Sequence, residues 1–201
     1  MKLNVRENIA EPDNYRFVVA TENEIIEALA AVHPILSRVH RAKWLSSLRA
    51  GTWAAKEWVK AIRACPELLT GLRQSSCHNV VPSVLRNSLA TLVSGTTVTP
   101  TFKANYFALG TGATAPANSD TQLETETLRS TFTERSAYLN VAYLDVFFSS
   151  ATVGGNTYLE SGIFVDASAT ANSGYLLSRV AQNLTLGAAQ SLTVNCSITI
   201  S

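Results

Sequence analysis

The apolar residues of this chain change their spacing close to Gly95, and this change limits the folds that it can adopt. Before Gly95 they recur every three or four positions, which is typical of helices that bury one face. After Gly95 they alternate with polar residues, which is typical of strands that cover one side of a core. The sequence therefore predicts an α+β fold, with a helical region over residues 1–95 and an antiparallel β-sandwich over residues 96–201.

The helical region begins with a recognisable start signal. Thr21 and Glu24 have the spacing of a capping box, so the first helix is expected to begin near Thr21. Pro34 is expected to kink or restart this helix before Gly51 ends it, and Thr52 is expected to cap the next one. Two further helical segments are predicted in PELLTGLRQ and VVPSVLRNSLATLV.

Alternation in the second part is clearest in SLTVNCSITIS, at the end of the sequence. The segment AYLNVAYLDVFFSS also alternates, although Asp145 falls among its apolar positions. The turn residues 153–156 follow, so NTYLESGIFVD is expected to return antiparallel and complete a hairpin. Further short strands are predicted in TVTPTFK, NYFALG, LRSTFTER and YLLSRVAQ.

All three tryptophans lie in the helical region. Trp44 and Trp58 follow the apolar stripes of their helices, which favours core packing over ligand binding. Docking on neighbouring subunits is a further hypothesis for this region, because Trp and Arg are favoured anchors of buried contacts. The residues proposed for the docking interface are Trp44, Trp53, Trp58, Arg49 and Arg63.

The charge distribution does not favour nucleic acid or a membrane as a partner. Charged residues make up 15% of the chain, and the net charge is +1. Up to Ala90 there are twelve Lys and Arg against eight Asp and Glu, and from Thr91 there are four against seven. A basic stretch with interleaved tryptophans runs from His33 to Arg63, but Glu57 interrupts it and it is expected to be a solvated helix surface. The chain shows no signal peptide and no apolar run of about 18 residues, so no membrane span is expected.

The three cysteines, Cys65, Cys77 and Cys196, do not suggest a disulfide framework or a metal site. Their odd number leaves at least one thiol unpaired, which fits synthesis in a reducing cytoplasm. Cys77 and His78 are adjacent, and the chain has no C-x-x-C pair, so structural zinc is not expected. With 46% apolar residues, the chain can fill a core without such links.

The run Gly110-Thr111-Gly112 invites comparison with nucleotide-binding loops. A Walker loop needs a lysine after its last glycine, and the dinucleotide fingerprint needs a third glycine where a helix begins. Residues 113–117 supply neither. Gly110 and Gly112 are therefore expected to serve backbone geometry, and no cofactor is predicted.

An enzyme is the competing class of protein. Asp120, Glu124 and Glu126 are candidates for the paired carboxylates of glycan hydrolysis. Loop acids are usually solvated, and the three histidines, His33, His40 and His78, all lie in the other part of the chain. No catalytic residue is therefore predicted, and no small-molecule substrate is expected.

A glycan-binding or receptor-binding module is a third class, in which tyrosine rings on the sheet would stack on sugars. The rings concerned are those of Tyr138, Tyr143, Tyr158 and Tyr175. Burial of aromatic side chains in the sheet explains them more simply.

Several segments of the second part, taken together, resemble a β-rich module of bacteriophage virion proteins, among them tail-collar and tail-fibre proteins. The segments are YFALGTGATAPANSDTQLETETLR, YLESGIFVD, YLLSRV and TLGAAQSLTVNCSITI, within roughly residues 100–201. The matching positions are Gly110-Thr111-Gly112, Pro116, Ser119-Asp120-Thr121, Leu123, Glu126, Arg129, Glu160-Ser161-Gly162-Ile163-Phe164, Leu176, Leu177, Arg179 and Val180.

This resemblance implies a non-enzymatic structural protein of the phage particle, in the neck or collar, the tail, the baseplate or the fibre attachment. It implies a homo-oligomer that assembles with other virion proteins and resides in the virion after synthesis in the host cytoplasm. It carries over no catalytic, cofactor-binding or metal-binding residue. Capsid decoration and glycan or receptor binding are the alternatives, and the helical docking region over residues 1–95 has no counterpart in the module.

Overall fold

The computed structural model of the protein describes residues 15–32, 41–77, 80–95 and 100–199. Over these residues it contains helices and two sheets with antiparallel pairing, which confirms the predicted α+β class. The chain forms two compact units that are interleaved in sequence. Unit 1 comprises Met1–Ser76, Thr133–Asn156 and Leu186–Ser201, and unit 2 comprises Cys77–Phe132 and Thr157–Thr185. This division differs from the single boundary predicted between residues 95 and 96.

Unit 1 contains a five-stranded sheet and most of the described helices. Its strands are β1 (Tyr15–Thr21), β2 (Arg73–Cys77, which ends at the unit boundary), β5 (Glu134–Tyr138), β6 (Val141–Phe148) and β9 (Gln190–Thr199), in the order β2-β1-β9-β6-β5. Its helices are α1 (Glu22–Val32), α2 (Arg41–Arg49), α3 (Trp53–Ala64) and the short α5 (Ser150–Val153), with a 3-10 turn at Pro66–Leu69. β9 pairs antiparallel with β1 and β6, and β6 pairs antiparallel with β5.

The predicted helix starts are largely confirmed. The Thr21 amide donates to Glu24 Oε2 at 2.6 Å and the Glu24 amide donates to Thr21 Oγ1 at 3.3 Å, so the capping box forms and α1 follows it. Thr52 is the N-cap of α3, but its hydroxyl donates to the Ser47 carbonyl instead of capping the helix. The Ala54 amide is satisfied by Ser47 Oγ at 2.9 Å. The predicted kink at Pro34 lies outside the described residues.

The core of unit 1 is centred on Trp58. Its side chain is fully buried, and its Nε1 donates to Thr193 Oγ1 at 2.8 Å. Leu192 and Val194 are buried on the opposite face of β9, as the alternation predicts. Thr193 is also buried, because the polar face of this strand lies against α3 and supplies the indole with its hydrogen-bond acceptor.

Three predicted features of unit 1 are corrected by the structure. β1 is a strand within the part predicted to be helical, and the short helix predicted in PELLTGLRQ is limited to the 3-10 turn at Pro66–Leu69, with the strand β2 beginning at Arg73. The predicted hairpin across residues 153–156 is wrong, because β6 pairs in one sheet and the strand that follows pairs in the other. The side-chain amide of Asn156 donates to the carbonyls of Val153 and Gly154. Residues 153–156 therefore end the helix α5 and do not form a two-residue turn between paired strands.

Among its described residues, unit 2 contains a four-stranded antiparallel sheet and one helix, α4 (Ser83–Val93). Its strands are β3 (Ala104–Gly110), β4 (Glu126–Thr131), β7 (Thr157–Val165) and β8 (Tyr175–Thr185), in the order β4-β3-β7-β8. The strands predicted in NYFALG, NTYLESGIFVD and YLLSRVAQ are confirmed as β3, β7 and β8. LRSTFTER is divided between β4 and β5, and the described part of TVTPTFK is not a strand.

Helix α4 ends as predicted, since Gly95 has a φ of 85° and lies just beyond its last turn. Among the described residues, no helix combines the length and the apolar content that crossing a membrane requires.

We predict that Trp58→Ala lowers the free energy of unfolding by about 3–5 kcal/mol, because it opens a cavity and removes the hydrogen bond that the Thr193 hydroxyl accepts. Trp53→Ala is the matched control, since that ring is 47% exposed. Its cost is expected to be about 1 kcal/mol, the value of its aromatic contact with Trp44. Urea unfolding followed by circular dichroism measures both. Equal costs for the two variants would contradict the burial of Trp58.

Candidate functional site

The segment between β3 and β4 is the longest irregular stretch within unit 2 and carries many of the positions of the phage resemblance. It covers residues 111–125, and we call it the anchored loop. It contains neither helix nor strand. Long loops without secondary structure in compact proteins are usually functional or disordered, so what holds this one in place bears on its role.

A single buried carboxylate, Glu160 on β7, fixes both ends of the anchored loop. Its Oε1 accepts the amides of Gly112 at 3.0 Å and Thr125 at 2.7 Å. Its Oε2 accepts the amide of Glu124 and Nε of Arg179, each at 3.0 Å. Both oxygens therefore have two donors, and Glu160 is fully buried. A buried charge is stable only with such partners.

Arg179 on β8 connects this carboxylate to the middle of the loop. Its Nη1 donates to Asp120 Oδ2 at 2.7 Å, and its Nη2 lies 3.2 Å from both oxygens of Thr114. Burial by itself would lower the pKa of Arg179, but the hydrogen bond to Asp120 and the charges of Glu160 and Asp120 outweigh it and raise that pKa. The guanidinium is therefore charged at all physiological pH values.

Glu124 closes the loop on itself. Its Oε2 accepts the Thr114 amide at 2.9 Å and the Thr114 hydroxyl at 2.8 Å. These bonds, first that of the amide and then that of the hydroxyl, lower the pKa of Glu124. The carboxylate is therefore held in its ionised form, in which it accepts hydrogen bonds and has no proton to donate.

The two glycines at the start of the loop are required by space. A Cβ at Gly112 would lie 2.5 Å from Glu160 Oε1, and one at Gly110 would lie 2.5 Å from the Thr125 carbonyl oxygen. Neither distance is tolerable for a carbon atom. Their predicted role in backbone geometry is confirmed, because they allow Glu160 to reach the loop amides.

Small residues in the sheet make room for the apolar anchor of the loop. Ala108 on β3 pairs with Gly162 on β7, and Leu123 packs over them with no exposed surface. A Cβ at Gly162 would lie 3.1 Å from Leu123 Cδ2. The loop is thus fixed by one apolar contact as well as by the ion network.

A second buried arginine, Arg129 on β4, fixes the turn between β7 and β8, residues 166–174. Its Nε and Nη2 make a bidentate pair with Glu126 at 2.5 and 2.7 Å. Its Nη1 donates to the Ser168 carbonyl and the Ser173 hydroxyl. Its Cζ also lies 4.7 Å from the centroid of the Phe164 ring. The pair is almost fully buried, with side-chain exposures of 4% and 1%.

The three acids considered for catalysis therefore occupy structural positions. Asp120 and Glu124 belong to the network of Arg179, whereas Glu126 is paired with Arg129. Each one accepts hydrogen bonds that hold a loop. The three carboxylates are divided between the two arginines and do not meet at a single site. This arrangement stabilises the backbone of the two loops.

The residues proposed for a docking interface are mostly engaged inside unit 1. Trp44 and Trp58 are buried, so neither ring is accessible to a partner. Arg63 pairs with the fully buried Asp145 at 2.5 Å and lies 4.6 Å from the Tyr143 ring centroid. The burial of Trp44 and Trp58 agrees with core packing, which the sequence analysis favoured for the tryptophans. The Arg63 side chain is 29% exposed, and a docking role for it stays a prediction.

Two of the five proposed residues remain at the surface. Trp53 is 47% exposed and packs edge-on against Trp44. Arg49 has a side chain that is 64% exposed and contacts Glu22 at 2.6 Å.

The other candidate ligands are also accounted for within the described residues. Among the four tyrosines, Tyr158 is buried and only Tyr138 is largely exposed, at 70%. Cys65, Cys77 and Cys196 are free thiols, and burial followed by the nearby Asp145 charge raises the pKa of Cys196 well above its usual value. In the ranges that the structure covers, no group of His, Cys, Asp and Glu is arranged to hold a metal ion. His33, His40 and His78 lie outside those ranges.

Sequence reasoning missed the pairing of the buried charges, although a signal was present. Glu160 and Arg179 each interrupt an apolar strand, and so does Asp145. A charged residue inside a buried strand requires an opposite charge nearby, so ion pairs at these three positions were predictable from the sequence. What the sequence does not give is which residue pairs with which.

We predict that Arg179→Met destabilises the protein by about 3–5 kcal/mol, because it leaves the Glu160 charge buried without its counterion. The double variant with Glu160→Gln is the control and is expected to cost less than the sum of the single changes. Urea unfolding of the four proteins gives the coupling energy. Additive costs would show that the two side chains do not act as a pair.

We also predict that Gly112→Ala destabilises unit 2 by about 1–3 kcal/mol, since the new methyl group displaces Glu160 or the loop. Gly187→Ala is the matched control, because its added Cβ would have its nearest neighbour at 3.4 Å. That variant is expected to unfold at the wild-type midpoint. A Gly112→Ala protein that is as stable as the control would contradict the close approach.

Comparisons of the chain with models of protein families, with curated proteins and with solved structures found no match. The likeness to the phage β-module therefore stays a prediction from the residues quoted above.

Proposed function

We propose that the protein is a non-enzymatic structural component of a bacteriophage particle, in the tail, the neck or collar, or the fibre attachment, where it acts by assembling in multiple copies with other virion proteins. The antiparallel β-sandwich predicted for residues 96–201 is part of this proposal. The resemblance of the second part to phage β-modules supplies the biological context, and the geometry of unit 2 supplies the physical argument.

The observation that carries the proposal is the use of buried charge to fix loops. Arg179 with Glu160 holds residues 111–125, and Arg129 with Glu126 holds residues 166–174. Ordering a mobile loop at the moment of association costs free energy, whereas a loop that is already fixed does not incur this cost. Rigid, low-charge surfaces of this kind suit a part that must repeat the same contact in every copy.

The same geometry speaks against the hydrolase alternative. A glycosidase needs one carboxyl group with a raised pKa as a proton donor and a second as base or nucleophile. Glu124 has its pKa lowered, and Asp120 and Glu126 are bound to arginines. On this proposal the purified protein leaves host polysaccharide intact.

The test is immunogold labelling of purified phage particles that carry this coding sequence, with antibodies raised against the chain. We expect label at the neck or tail, and a copy number that is a multiple of the symmetry of the tail axis. Label spread over the shell would instead indicate a capsid decoration protein. Particles without label would refute a role in the virion.

A further inference from the structure

Exposed apolar side chains are concentrated on helix α4 of unit 2. Val84, Leu89, Leu92 and Val93 are between 36% and 72% exposed, whereas Leu85 is buried. A surface helix normally turns charged or polar residues toward water. Four large apolar side chains on one eleven-residue helix therefore need another explanation than solvation.

The leucines of α4 have the spacing of a helix-pairing seam. Leu85, Leu89 and Leu92 follow each other at intervals of four and three residues, as the core positions of a coiled coil do. Residues at these intervals share one face of a helix. The face that Leu85 buries in unit 2 thus continues to Leu89 and Leu92 at the surface.

The hydroxyl groups of α4 are already paired within the helix. Ser88 Oγ donates to the Val84 carbonyl at 2.9 Å, and Thr91 Oγ1 donates to the Asn87 carbonyl at 3.0 Å. Just beyond the helix, Ser94 Oγ donates to the Thr91 carbonyl at 2.6 Å. A partner can therefore cover these three hydroxyls without breaking a hydrogen bond, which removes the usual penalty for burying them.

The charge pattern indicates what the partner is. Arg86 is the only charged residue of α4, and its Nη2 lies 3.3 Å from Ser83 Oγ. In a two-fold contact, the same surface of each copy faces that of the other. Charges of one sign on that surface would therefore repel each other. A face without charge avoids this repulsion. It also lacks the row of Lys and Arg with which interfacial helices bind anionic membranes.

We propose that α4 forms a two-fold helix-to-helix contact with α4 of a second copy of this chain, with Leu89 and Leu92 of each copy packed against those of the other. This inference deepens the proposed function and rests on it, because it names the surface through which copies assemble.

The test is sedimentation equilibrium of the full chain over a wide range of concentrations. The wild-type protein is expected to associate in even-numbered species. Leu92→Asp changes both copies of the contact, so it is expected to raise the dissociation constant by at least about 100-fold. Leu139→Asp is the matched control, because that leucine is 85% exposed on the β5–β6 turn of unit 1 and the change is the same. It is expected to leave the dissociation constant unchanged.

The fold of each variant is checked by its urea midpoint. If Leu92→Asp lowers the midpoint, Val93→Asp tests the same face at its most exposed apolar position, 72%. A wild-type chain that stays monomeric at every concentration overturns the inference. So does an oligomer that Leu92→Asp or Val93→Asp leaves intact, or one that only Leu139→Asp disrupts.

These results are separable from those of particle labelling. If the protein is present in particles, and the Leu92→Asp variant still enters them and associates as the wild type does, the α4 contact is refuted and the virion role stands. A dimer that depends on Leu92 in a protein absent from particles refutes the virion role and leaves the contact standing.

Discussion

Unit 2 depends on the four hydrogen bonds that converge on Glu160. A carboxylate on a central strand is costly to bury, and here its two oxygens are satisfied by three loop amides and one guanidinium. Residues 111–125 take their path because those amides must point at Glu160. The glycines at 110 and 112, and the position of Arg179, follow from the same requirement. The order of the loop is thus a consequence of charge neutralisation inside the sheet.

Unit 1 uses a different principle, in which helices cover a sheet and aromatic side chains fill the space between them. Trp58 reaches from α3 to Thr193 on β9, and Arg63, one turn and a half further on, reaches Asp145 on β6. The two contacts fix α3 over the strands of its own unit, one by hydrogen bonding and the other by charge. Because both side chains are engaged in this way, Trp58 and Arg63 are poorly available for partners, whereas Trp53 and Arg49 remain at the surface.

The sequence predicted local structure better than pairing. The capping box at Thr21 and the strand β9 were predictable, because each depends on neighbouring residues and on period. The strand β1 was missed, since seven residues with apolar side chains on both faces carry no clear alternation. The hairpin across Gly154 and Gly155 was wrong for another reason: glycines show that the chain turns, but not which sheet the next strand joins.

The candidate site shows the same limit. The glycines, acids and arginines of unit 2 could be identified one by one, and the role of Gly110 and Gly112 followed from the absence of a lysine and a third glycine. The partner of Asp120 could not be assigned, because spacing along the chain carries no information about a contact across 59 residues. Glu126 pairs with Arg129 only three residues away, and the sequence analysis did not predict that contact either.

The position of β9 has a consequence for synthesis on the ribosome. It is the middle strand of the five described in unit 1, flanked by β1 and β6, yet it comes last in chain order of the nine strands that the structure describes. Helices α1 to α3 therefore emerge long before the strand that carries Thr193 is available to them. The sheet of unit 1 cannot be completed until residues 190–199 are translated, whereas all four strands of unit 2 precede that point.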